Sequence, residues 1–120
     1  MSIETLDSLT PTFLSLRHMC PMVSGSTMCK TFMNRPEGRV VMFAMDSGQE
    51  MSEHRTPFAA MIHVLEGRLL ICVEGEEREM VPDQMLIMPA NALHRLRALV
   101  PTRMLLTVFK SGADRALSCA

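Results

Sequence analysis

The residues of this chain best suited to do chemistry are two histidines, His54 and His94, each set in a heavily punctuated segment. The first segment reads Gly48-Gln-Glu-Met-Ser-Glu-His54-Arg-Thr56-Pro-Phe58-Ala-Ala60-Met-Ile-His63-Val-Leu-Glu-Gly67. The second reads Met85-Leu-Ile-Met-Pro89-Ala-Asn91-Ala-Leu-His94. Neutral imidazole nitrogen suits Fe, Mn, Ni, Cu and Zn, and the same ring exchanges protons near neutral pH. Two imidazoles alone do not make a tight metal centre. Iron of the two-His-one-carboxylate kind needs a carboxylate, and zinc usually takes three protein ligands and a water. Glu53 has the wrong strand parity to help His54, and Glu50 lies a strand-length earlier.

The elements that must position these residues read as β throughout the middle of the chain. Strands are expected at 26–33, 39–45, 50–54, 59–66, 69–74, 76–81, 85–88, 94–99 and 103–110. Turn signals separate them at Arg35-Pro-Glu-Gly38, Asp46-Ser-Gly48, Glu66-Gly67, Glu74-Gly75, Pro82-Asp83 and Pro101. Many short strands at regular spacing argue for an all-β sandwich or barrel. Side chains at i, i+2 and i+4 share a face of a strand. An unbulged strand would therefore turn His54, Thr56 and Ala60 one way and His63 the other. Ahead of the strands, Ile3, Leu6 and Leu9 form one short helical face with Ser2 as N-cap and Pro11 as its end, and residues 12–25 are mixed.

The two histidine segments resemble the paired motifs of the cupin superfamily in its small, single-domain, RmlC-like form. In that family a Gly is followed after five residues by His-x-His, a Glu about four residues on, and a Gly seven later. The second motif is Gly, five residues, Pro-x-Gly, two residues, His. Gly48, His54, Gly67, Pro89 and His94 stand at those spacings, whereas Thr56 replaces the second His and Ala60 the Glu. Asp83 replaces the opening Gly of the second motif, and Asn91, which tolerates positive φ, replaces its internal Gly. The resemblance implies a double-stranded β-helix, or jelly-roll barrel, over 26–110, with an N-terminal extension 1–25 and a C-terminal tail 111–120. It implies a ligand pocket of His54, Thr56, Phe58, Ala60 and His94. It also implies a divalent transition metal (Fe, Mn, Ni or Zn) on His54 and His94, with half of the usual donor set gone.

Composition narrows the partners. A net charge of −1 over 120 residues offers no basic face for nucleic acid. Five Phe with no Trp or Tyr lowers the weight of sugar and nucleobase stacking. Thirteen Met take over packing and suit either a core or a permissive apolar pocket. No apolar run reaches the roughly 18 residues of a membrane span. The start Met-Ser-Ile-Glu-Thr-Leu-Asp carries acids where a signal peptide has Lys or Arg, so a cytoplasmic location is expected. Cys20, Cys29, Cys72 and Cys119 show no CxxC spacing and are expected as thiols. His18, Met19, Cys20, Met22, Met28 and Cys29 form a soft cluster of the kind that selects Cu(I), though its spacing matches no metal motif.

Three functions stay open on the residues alone. One is a small-molecule-binding barrel with a degenerate metal site. Another is a metal-dependent dioxygenase, isomerase or decarboxylase for a small organic acid, anchored by Arg95 or Arg97. The third is a metal-free acid–base enzyme using His54 or His94. A homodimer is expected, because outward-parity Met61, His63 and Leu65 would otherwise present apolar surface.

Overall fold

Nine strands carry the chain in the computed structural model, which describes residues 11–110. They are β1 (Thr27–Arg35), β2 (Gly38–Met45), β3 (Glu50–His54), β4 (Ala59–Glu66), β5 (Leu69–Val73), β6 (Glu76–Met80), β7 (Met85–Met88), β8 (His94–Ala98) and β9 (Thr102–Phe109). Every expected strand forms, with ends displaced by no more than two residues. The turns that separate them hold because their residues accept the backbone they need. Asn91 sits at φ 68°, in the role the family motif gives to Gly. Gly67 at φ 91° brings its Cα so near Thr102 and the Pro101 carbonyl that an added Cβ would lie 2.4 Å from that oxygen.

All strand pairs are antiparallel, in a five-stranded sheet β1-β2-β9-β4-β7 and a four-stranded sheet β3-β8-β5-β6. The chain crosses from one sheet to the other at every connection except the β1–β2 and β5–β6 hairpins, which is the jelly-roll arrangement. Alternation turns Ala60, Ile62 and Val64 of β4, Met104 and Val108 of β9, and Leu69 and Ile71 of β5 inward. There they meet Met45, Met80, Met88, Leu96 and Ala98. His63 points outward, as parity requires, opposite Leu105 and Met85. Methionine is core material here: Met42, Met45 and Met104 are essentially sealed from solvent.

The segment before β1 closes part of the outer face of the larger sheet. Leu16, Met19, Cys20 and Met22 pack over Phe32, Met42 and Ala44. This includes a single helical turn, α1 (Leu16–Met19), in a stretch that carries no periodicity in sequence; it has no side-chain cap. Glu66 anchors the segment by accepting from Arg17 Nε and Arg103 Nη1, each at 2.8 Å. Cys20 Sγ donates to the carbonyls of Met28 and Met42. Burial pushes this thiol above its ordinary range, and the nearby Arg103 pulls partly back. The soft cluster is therefore packing at Cys20, with His18 and Cys29 exposed. Cys20, Cys29 and Cys72 are free thiols. The helical face expected at Ile3, Leu6 and Leu9, and the tail 111–120, lie outside the described residues. No helix among the described residues is long and apolar enough to cross a membrane.

Candidate functional site at the mouth of the barrel

A β-bulge builds the histidine pair. Glu50 faces Arg97 and Met51 faces Leu96, but the next matched pair is His54 with His94. Ser52 and Glu53 of β3 therefore oppose the single residue Arg95. In an unbulged ladder Glu53 would stand across from His94. The extra residue lets Met51 pack on the core and His54 still face His94, although their parities differ. The parity argument from His54 through Thr56 to Ala60 thus fails. β3 is bulged and ends at His54, and residues 55–58 run between strands. His54 and Ala60 do reach the inner side, each by its own strand.

The two rings lie 4.2 Å apart between centroids, tilted by 57°. His94 is buried, with 7% of its surface exposed, whereas His54 is exposed. His54 Nδ1 lies 2.7 Å from the Ser52 carbonyl, and His94 Nδ1 lies 2.9 Å from the Ala92 carbonyl. A carbonyl only accepts, so each Nδ1 carries the hydrogen, and the Nε2 of each neutral ring keeps its lone pair. The pair is held in the tautomer that a metal ligand or a proton acceptor needs.

Loops around the mouth are tied together by polar contacts. Asn91 N–H donates to the Thr56 carbonyl at 2.7 Å, and Arg55 Nη1 donates to the Asn91 carbonyl at 3.0 Å. Glu74 N–H donates to the Leu93 carbonyl at 2.8 Å, while its carboxylate accepts from Leu93 N–H. These bonds join the β3–β4, β5–β6 and β7–β8 loops.

The remaining expected site residues divide. Phe58 is half-buried and packs on the core. Ala60 is buried between Met88 and Val108, its partners on β7 and β9. Thr56 sits in the loop with its hydroxyl donating to the Phe58 carbonyl at 3.2 Å. Arg95 and Arg97 fall on the outer face of β8, exposed and on the opposite side from His94, so neither anchors a carboxylate inside the barrel. That corrects the sequence expectation, and alternation along β8 is the cause.

For a metal, the donor set is two imidazoles with free Nε2 lone pairs. Among the described residues no group of three or more His, Cys, Asp or Glu is placed to hold an ion. Thr56 offers a neutral hydroxyl already engaged with its own loop, and Ala60 offers no donor atom. These residues do not fit the three-ligand protein site that tight zinc or iron binding requires.

Comparison with known proteins agrees with this architecture. The model of the cupin domain family matches residues 41–109. A conserved protein of unknown function from Streptococcus pyogenes superposes with a TM-score of 0.78 at 28% identity, covering 87% of this chain and 91% of its own. KdgF from Halomonas sp. gives 0.73 at 20%, covering 88% and 100%. A mutant of salicylate 1,2-dioxygenase from Pseudoaminobacter salicylatoxidans gives 0.66 at 16%, covering 73% of this chain and 27% of the enzyme. No curated protein matches significantly. Barrel topology, a histidine from each motif meeting at its mouth, and a family match over more than half its length agree: the chain belongs to the cupin domain family.

Proposed function

We propose that this protein binds a small molecule at the barrel mouth, with His54 and His94 as its polar contacts and with a degenerate metal site. The observation that carries this reading is the histidine pair itself. Its rings lie 4.2 Å apart, each bonded to a carbonyl two residues earlier in its own segment, while the motif positions that would complete a metal centre hold Thr56 and Ala60. Two Nε2 atoms accept hydrogen bonds from a ligand hydroxyl, amide or protonated acid. Divalent ions such as Fe, Mn, Ni or Zn would be held weakly by two imidazoles. The metal-dependent enzyme reading needs a further ligand from outside the described residues or from the substrate itself.

Elemental analysis of untagged protein purified without chelator, followed by Zn(II) titration, tests the reading. Substoichiometric metal and weak, His54- and His94-dependent binding are expected. Tight stoichiometric metal in the parent protein would put the enzyme reading ahead.

The same proposal includes a homodimer formed through the outer face of the five-stranded sheet. One row across that face runs Met33, Val40, Thr107, Met61 and Ile87. Ile87 is 69% exposed, with Met85 and Phe109 also open to solvent. Contiguous apolar surface of this kind is typical of pairing faces. Light scattering across micromolar concentrations is expected to give the dimer mass, and Ile87→Glu to give the monomer. A monomeric parent overturns this part alone.

A further inference from the structure

The outer face of the four-stranded sheet carries a second concave site, turned away from the histidines. Glu50 and Ser52 of β3, Arg95 and Arg97 of β8, Leu70 and Cys72 of β5, and Glu77 of β6 surround a cavity of about 190 Å³. Cross-strand register orders these groups in rows. Glu50 stands beside Arg97, which stands beside Leu70; Arg95 stands beside Cys72, which stands beside Glu77. Half-buried Leu70 and buried Cys72 form an apolar floor between a pair of guanidinium groups and flanking carboxylates.

The charges in this groove do not neutralise one another. Arg17, Arg55, Arg68, Arg78 and Arg103 all engage glutamates, Arg78 on this same sheet. Among the described residues Arg95, Arg97, Glu50 and Glu77 form no ion pair, although Glu50 and Arg97 are direct cross-strand partners. Exposed pairs contribute little to stability, so leaving these groups apart costs the fold little. It leaves guanidinium forks, each suited to bidentate carboxylate contact, facing the same space as two free carboxylates. A bare anion would gain from the arginines and lose to the glutamates. A molecule with both charges gains from both sets, and the apolar floor strengthens each contact. At about 190 Å³ the cavity falls below the roughly 300–1,000 Å³ of drug-sized pockets, which restricts the occupant to a small molecule.

We propose that this groove binds a small zwitterion of amino-acid size, with its carboxylate on Arg95 and Arg97 and its ammonium on Glu77 or Glu50. The site is separate from the barrel mouth, since strand alternation places Arg95 and His94 on opposite faces of β8. It also lies away from the face assigned to dimerisation.

An NMR titration of the full chain with glycine and β-alanine, against acetate and methylammonium as the two half-ligands, tests this. One of the zwitterions is expected to shift the amides of Leu70, Cys72, Arg95 and Arg97, with a Kd at least tenfold below that of either half-ligand. Arg97→Gln and Glu77→Gln are each expected to weaken it about tenfold, while His54→Ala leaves it unchanged. All three positions are exposed, and melting curves check that the variants fold. Acetate binding as tightly as both zwitterions, absence of binding at millimolar concentration, or equal loss in His54→Ala would each overturn the proposal.

Discussion

Truncating the two histidines one at a time should separate their roles, because the structure treats them unequally. His94 is buried, its ring donates to the Ala92 carbonyl at 2.9 Å, and it lies across from His54. His94→Ala removes that bond and opens space. Leaving a buried acceptor unsatisfied costs about 1–3 kcal/mol, and large-to-small core changes about 2–5 kcal/mol. The site borders the exposed His54, so water can reach both the carbonyl and the vacated space. The expected loss is therefore at the low end, about 2 kcal/mol. His54→Ala removes an exposed ring whose bond to the Ser52 carbonyl is open to solvent, and should stay within about 0.5 kcal/mol. At about 4 °C per kcal/mol for a domain of this size, the expected melting shifts are near 8 °C and 2 °C. Calorimetry on parent and both variants at one concentration and neutral pH measures this. Zn(II) titration of the same samples should show that both variants lose what weak binding the parent has. Equal melting shifts, or a larger one for His54→Ala, would refute the assignment of His94 as a packed residue and His54 as the accessible one.

Gly67→Ala should cost more than about 2 kcal/mol, since positive φ and contact with backbone atoms add, and a melting curve unchanged within error would contradict the close approach to Pro101 and Thr102. Stability should also fall at alkaline pH through Cys20. Its folded-state pKa is raised, so the stabilisation is present below the unfolded value near 9.0 and is lost as pH rises through the folded one; Cys20→Ala should flatten that limb of the profile in chemical denaturation. Asp46 behaves in the opposite sense. Backbone N–H groups of Gly25 and Ser47 hold its carboxyl below the ordinary range, so its contribution is present above the unfolded value near 3.8 and fades as pH falls through the folded one, and Asp46→Asn should weaken the acid dependence. Restoring the family ligands with Thr56→His and Ala60→Glu should destabilise the barrel rather than create a tight centre, because Ala60 is packed between Met88 and Val108; overpacking costs about 1–3 kcal/mol before the buried carboxylate is counted. Stoichiometric Zn(II) binding by a fully folded double variant would show that the four positions converge after all.

The nine strands were legible because local signals mark their ends: Gly, Pro, Asn and Asp occupy the turns, and apolar alternation fills the strands between them. The bulge in β3 was not legible. Nothing in Met51-Ser-Glu-His54 announces an extra residue; it appears only when β3 is laid against β8 and Ser52 and Glu53 must share Arg95 as a partner. For the same reason parity could not be carried from His54 to Ala60. The helical turn at Leu16–Met19 escaped because its four residues have neither a periodic face nor a capping bond, and packing on the sheet holds it instead. Arg95 and Arg97 were misplaced for a simpler reason. They follow a candidate ligand in sequence, yet on a strand the residue next to an inward side chain points out.

Backbone geometry also decides how the histidine pair is held. In a site held together by its ion, ligand rings take their orientation partly from the metal, and removing two of four donors leaves the others free to turn. Here each ring is held by a carbonyl two residues earlier on its own segment, Ser52 for His54 and Ala92 for His94. The loops behind them are joined through Asn91, Arg55, Glu74 and the Thr56 backbone carbonyl, with no bond from the Thr56 or Ala60 side chain. The orientation of the pair is thus a property of the backbone and of the bulge, not of an ion. With Thr56 and Ala60 at the positions where the family motif has its second His and Glu, the pair presents two preorganised Nε2 acceptors, the arrangement that the proposed small-molecule binding needs.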